Sequence, residues 1–278
     1  MTDAVLVSSS VAETEHAEWS ATTTYGVGAR VIKAAAHRVY ENARFNNVGR
    51  DPATASAADW IDLGSTNRWA MFDQAVGSAT TAAGGITVTL APLAPADALA
   101  VLDLSAETVR VQVALGGTSL YDRTQSTSTA GVRRTSLLFL DLPAREGARF
   151  TVTASSGSSA PVAVGTLIVG GVLELGTTEA SPSIGISDFS RRVTDDFGVT
   201  TVVPRSWAKT MTLRTKVDTG DVDEVQRRVA AMRAVPALWI GEEGYDSLIV
   251  YGFFRSFSID LALPRISYCS FGIEGLAA

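Results

Sequence analysis

Two kinds of side chain in this sequence carry acid–base chemistry. Carboxylates cluster at Asp195-Asp196 and at Glu242-Glu243 with Asp246. Two acids at the right separation, one protonated and one ionised, can hydrolyse a glycosidic bond. The chain has two histidines, His16 and His37, and neither sits in a triad setting. There is no GxSxG, no GxGxxG opening a helix, no P-loop and no HExxH. Gly26-Val27-Gly28 lacks a third glycine and precedes a strand-like Ala29–Lys33, so it reads as turn chemistry. Gly241-Glu242-Glu243-Gly244-Tyr245-Asp246 reads as a solvated β-turn between strands. Cys269 is alone, which excludes an intrachain disulfide and a cysteine-rich zinc site. It lies in an alternating strand and reads as a small buried hydrophobe. The expectation is a protein that is not an enzyme, with no catalytic residue, cofactor or metal.

Binding chemistry is concentrated in aromatic residues. Between residues 16 and 66 stand Trp19, Tyr25, Tyr40, Phe45 and Trp60. A module of about fifty residues buries little core by itself. Aromatics exposed on a small β scaffold stack on sugar rings or on a partner's apolar surface. Tyr40, Phe45 and Trp60 are the candidate glycan-stacking residues. Trp69, Met71 and Phe72 are candidate contacts to a neighbouring subunit, or else an anchor onto the following domain. Arg227 and Arg228 are candidate assembly contacts on a helix.

The elements that must position these residues are mostly strands. Ile86–Leu90, Val109–Val113, Phe150–Thr153 and Met211–Val217 alternate apolar and polar residues with period two. Ser136–Leu142 and Val162–Val172 are more continuously apolar, as in strands buried on both faces. One helix is expected over Asp221–Ala234, where Val222, Val225, Val229 and Met232 form an apolar stripe and Pro236 ends it. Strands flank it at Lys209–Val217, Ala237–Ile240, Ser247–Phe254, Ser256–Leu263 and Ile266–Ile273. The fold class is therefore mainly β. An N-terminal arm (1–15) leads into a small three-stranded β module (16–66). An antiparallel β-sandwich (67–175) and an α+β sheet-plus-helix domain (176–278) follow.

Composition narrows the partners. Of 278 residues, 23 are Lys or Arg and 29 are Asp or Glu, a net charge of −6. A nucleic-acid binder needs a basic surface to neutralise phosphates, and docking to anionic lipid needs one too. No stretch approaches the ~20 apolar residues of a membrane span. Met1-Thr2-Asp3 has no basic n-region, so no cleaved signal peptide is expected and synthesis is placed in a cytoplasm.

Two resemblances sharpen this reading. The order Trp19-x5-Tyr25-x2-Gly28-x2-Val31, then Val39-Tyr40-Glu41, then Pro52, then Trp60-x3-Gly64 resembles the chitinase-type carbohydrate-binding module. Where that family carries adjacent aromatics, this chain has Asn42-Ala43-Arg44-Phe45-Asn46-Asn47, with one Phe. The run Thr66-Asn67-Arg68-Trp69-Ala70-Met71-Phe72-Asp73 resembles the signature of tail-tip proteins from long-tailed, siphovirus-like bacteriophages. Similar stretches continue at Gly185–Arg191, Asp195–Val203, Ala208-Lys209, Val250–Phe254, Phe257–Asp260 and Ile273–Leu276. The last domain is also similar to the strand-helix-strand domains of tail tubes and distal tail rings.

The resemblance implies a virion structural protein of the tail tip or baseplate, made in the host cytoplasm. Its implied partners are other tail-tip and tail-tube proteins, copies of itself in a ring, and a host cell-surface glycan. The alternative is a carbohydrate-binding adhesin whose main role is attachment to host polysaccharide.

Overall fold

The computed structural model describes residues 4–129, 131–157, 159–179, 181–194, 196–261 and 264–277. The protein is mainly β, with antiparallel sheets and, among the described residues, one short α-helix. It divides into two compact units. The first comprises Met1–Asp73 and Gly77–Gly171, the second Gln74–Val76 and Val172–Ala278. The three segments expected after the arm therefore fall into two units, with the small module and the sandwich together in the first.

In the first unit, Arg30–Lys33, Arg38–Asn42 and Trp60–Ser65 form a three-stranded antiparallel sheet in chain order. The sandwich follows. One sheet has the order Leu6–Ser9, Gly85–Leu90, Arg149–Ser155, Thr108–Leu115, Thr118–Ser126. The other has the order Leu137–Phe139, Ala98–Ser105, Pro161–Gly170, Thr80–Ala83. Period-two alternation decides which face is inside. Ile86, Val88 and Leu90 are buried while Thr87 and Thr89 lie on the outer face, where their hydroxyls pair with Thr153 and Thr151. Val109, Val111, Val113, Phe150 and Val152 extend the core, and Leu99, Val101, Phe139, Val162 and Val164 meet them from the second sheet.

The expected N-terminal arm is in fact part of this sandwich. Leu6–Ser9 pairs with Gly85–Leu90, and Leu6 and Val11 are buried in its core. Leu6-Val7-Ser8-Ser9 does not alternate apolar and polar residues, so no period-two pattern marks it. An open sheet edge still gains by pairing with any strand in reach.

In the second unit, Trp207–Asp218, Ile266–Gly275, Ile249–Asp260 and Ala237–Ile240 lie side by side in that order. Thr177–Thr178 and Ser183–Asp188 both pair along the outer side of Trp207–Asp218. The strands expected at Ser247–Phe254 and Ser256–Leu263 are a single strand, Ile249–Asp260; Leu263 lies outside the described residues. Its register slips between Phe254 and Ser256, so Arg255 is the extra residue of a bulge.

The helix spans Val222–Ala231, shorter than the stripe suggests. Val225 and Val229 are buried, with Val222 and Met232 packed beside them against Trp239, Cys269 and Phe271. Pro236 disfavours the helical conformation at Val235. The last turn tightens accordingly, with the Met232 amide bonded to the Val229 carbonyl and Ala234 at φ 59.

Candidate functional site

Asp195 lies outside the described residues, and Asp196 is exposed. Glu242 and Glu243 are exposed on a turn closed by the Tyr245 amide bonding to the Glu242 carbonyl. His16 is half-buried. Among the described residues no cluster of three or more His, Cys, Asp or Glu could hold a metal ion, and no helix is long and apolar enough to cross a membrane. Cys269 is fully buried, and desolvation raises its thiol pKa against the opposing hydrogen bond with Thr215.

His37 has a structural setting. Its Nδ1 lies 3.0 Å from Glu13 Oε1, and its ring stacks on Trp69 at 4.0 Å between centroids. The fully buried Thr66 completes the clasp. Its hydroxyl donates to Glu13 at 2.7 Å, and its amide donates to the His37 carbonyl at 2.9 Å. Next in sequence, the Asn67 side chain accepts from the Thr81 amide and donates to the Thr81 carbonyl, as a strand partner would. The Met71 amide donates to Thr80 Oγ1 at 3.0 Å.

The stretch Thr66–Phe72 thus ties the N-terminal segment, the small sheet and the sandwich together. Trp69 and Met71, expected as candidate subunit contacts, are interior at 7% and 0% exposure. Phe72 is half-buried with its edge toward the Trp69 ring. Large apolar side chains at a junction are the cheapest means of closing it.

The small module corrects a second expectation. Tyr40 and Trp60 are buried and form its core with Val31, and Tyr25 packs edge-on to Trp60 at 5.3 Å. Trp60 Nε1 donates to the Arg50 carbonyl at 3.0 Å. A module this small uses its largest rings as its interior, so neither can stack on a sugar. Phe45 differs, at 75% exposure.

The loop that carries Phe45 is rigidly built. The buried Asn42 side chain donates to the carbonyls of Tyr25, Gly26 and Arg44 and accepts from the Arg44 amide. Asp59 accepts from Arg44, Arg50 and Ser56. Burial opposes ionisation of Asp59, but those hydrogen bonds and charges prevail and its pKa is lowered.

On the helix, Arg227 and Arg228 both reach Glu224 at 2.7 Å. Their hydrogen bonds, Arg227 first, lower the Glu224 pKa. Both arginines are exposed and half-neutralised by one carboxylate.

The feature that sequence reasoning missed is a long hairpin in the second unit. Ser183–Asp188 and Trp207–Asp218 form its base within the sheet. Beyond them, Arg191–Thr194 and Thr200–Val203 continue as a separate two-stranded ribbon. Every residue of both ribbon strands is exposed. Along this hairpin Ile184, Ile186, Phe189 and Val193 are solvent-facing. So are Phe197, at 92% exposure, and Val199, Val202, Val203 and Trp207. The turn signal was present, since Gly198 takes φ 82 in Asp196-Phe197-Gly198. The exposure of both faces has no local signature.

No protein-family model matches this chain, and no curated protein matches it.

Proposed function

We propose that this chain is a structural subunit of the tail tip or baseplate of a long-tailed phage-like particle. It assembles in the virion with other tail-tip and tail-tube proteins and with copies of itself in a ring. The observation that carries this reading is the hairpin 183–207. Soluble monomers rarely leave so many large apolar side chains in water along one hairpin, and exposed apolar surface of that extent marks interaction sites. The motif resemblance at residues 66–73, 185–191, 195–203, 208–209, 250–254, 257–260 and 273–276 supplies the particular assembly.

The test is the oligomeric state of the purified full chain, read by light scattering and negative-stain microscopy across a concentration series. Discrete oligomers are expected, and Phe197→Asp with Val202→Asp should return them to monomer without lowering Tm. A chain that stays monomeric at its highest soluble concentration overturns the proposal.

A second reading, attachment to host polysaccharide, is favoured by one feature, the exposed Phe45 on its braced loop. Glycan-array binding that disappears in Phe45→Ala supports a sugar contact. Binding that is absent, or unchanged in that variant, removes it.

A further inference from the structure

In the small module, two cations share one carboxylate. Arg30, Lys33 and Arg38 each have an acid of their own, in Glu41, Asp51 and Asp62, at 2.8, 2.7 and 2.8 Å. Glu18 accepts from the Ala34 amide at 3.0 Å. Arg44 and Arg50 both go to Asp59, each at 3.2 Å through Nη1. A local surplus of one positive charge results. It is also outward, since Asp59 is 6% exposed while the two arginine side chains are 52% and 46% exposed.

The backbones under this pair are fixed. The Arg44 amide donates to the buried Asn42 side chain, and the Arg44 carbonyl accepts from it. The Arg50 carbonyl accepts from the buried Trp60. Nε and Nη2 of both arginines make no hydrogen bond among the described residues. A guanidinium edge left free in this way matches the paired oxygens of a carboxylate or a phosphate. Phe45 follows Arg44 in the same loop, with most of its ring in water.

We propose that Arg44, Arg50 and Phe45 form a binding site for a glycan that bears a carboxylate or phosphate. The guanidiniums take the oxyanion, and the Phe45 ring takes the C–H face of the sugar. This rests on the glycan reading above and names its substrate class. Two observations favour an acidic sugar. The charge and the exposed ring are neighbours in one braced loop, and an acidic sugar carries an apolar C–H face and an oxyanion within one residue. The chain's net charge of −6 opposes a long polyanion such as nucleic acid, which needs cations along a run of phosphates, whereas this pair supplies a single surplus charge. A neutral sugar would leave that charge and the free N–H groups without a role.

The experiment is calorimetric titration of the full chain with oligogalacturonate and with its methyl ester, which keeps the sugar and removes the charge. A ribitol-phosphate teichoic acid, chitohexaose and an oligothymidylate complete the set. The acid should bind about tenfold more tightly than the ester, with the gap closing as salt is added. The tighter of oligogalacturonate and teichoic acid tells carboxylate from phosphate. Arg44→Gln or Arg50→Gln should bring the acid down to the ester's level, and each leaves Asp59 one arginine and Ser56. Phe45→Ala, at an exposed position, should weaken the acid about tenfold without changing Tm. If chitohexaose binds, is lost in Phe45→Ala and is untouched by the arginine variants, the glycan reading stands and this proposal fails. It also fails if neither acidic glycan binds more tightly than the ester, or if oligothymidylate binds as well as oligogalacturonate. Oligogalacturonate binding unchanged in Phe45→Ala would mark a bare charge contact and overturn it too. If no sugar binds at all, both readings fall together.

Discussion

Replacing Trp69 separates a core pin from a surface contact. Its ring is 7% exposed, stacked on His37 on one side and meeting Phe72 edge-on. Truncating a buried Trp to Ala removes about 3–5 kcal/mol. Trp69→Ala should fall in that range, because His37 and Phe72 are held by their own backbones and cannot close over the gap.

Trp69→Phe should behave quite differently. Trp69 Nε1 is buried without a hydrogen-bond partner, a desolvation cost of about 1–3 kcal/mol that Phe does not carry. That relief offsets most of the packing lost with the smaller ring, so a net change of roughly 1 kcal/mol or less is expected. Urea unfolding followed by far-UV circular dichroism measures both, with the two units fitted as separate transitions. At a slope near 2 kcal/mol/M, Trp69→Ala should lower the first unit's midpoint by roughly 2 M. A shift below roughly 0.5 M would refute the pin, and so would a Phe variant as unstable as the Ala variant.

Gly252→Ala drives a Cβ into the Glu274 carbonyl oxygen and to 2.5 Å from Gly275 Cα. It should cost at least about 3 kcal/mol, whereas Gly220→Ala, which meets open space, should stay within about 0.5 kcal/mol; equal melting temperatures would contradict the close strand approach. Asp59 has its pKa lowered in the fold, so its contribution is present above the unfolded value and lost as pH falls through the folded one. The Tm gap between wild type and Asp59→Asn should be constant above about pH 4 and shrink below it, and a gap that widens in acid would reverse the sign of the argument. Cys269, buried and with a raised pKa, should react with a thiol reagent only as fast as the second unit opens, and fast labelling of the native chain would show that strand to be loose.

The sequence alone determined most of the core strands and the place of the helix, because period-two and helical spacing are local properties of the chain. Ala237–Ile240 is legible residue for residue, and Val225 and Val229 face inward where the stripe places them. The turn at Gly241–Asp246 and the burial of Cys269 were also legible, since turn residues and period-two alternation are local signals.

Tertiary structure decided what each aromatic does. Tyr40 and Trp60 look like binding residues by type, yet they are the interior of their module, while Phe45 stands outside. Residue type reports that a ring prefers apolar surroundings and does not say who supplies them. The same holds for Leu6–Ser9, whose role depends on an open strand edge about eighty residues later. Between Arg191 and Val203 only the absence of a covering layer in the sheet order exposes both faces of a ribbon. Burial is a sum over distant neighbours, and alternation along one strand records the two sides without saying which of them will be covered.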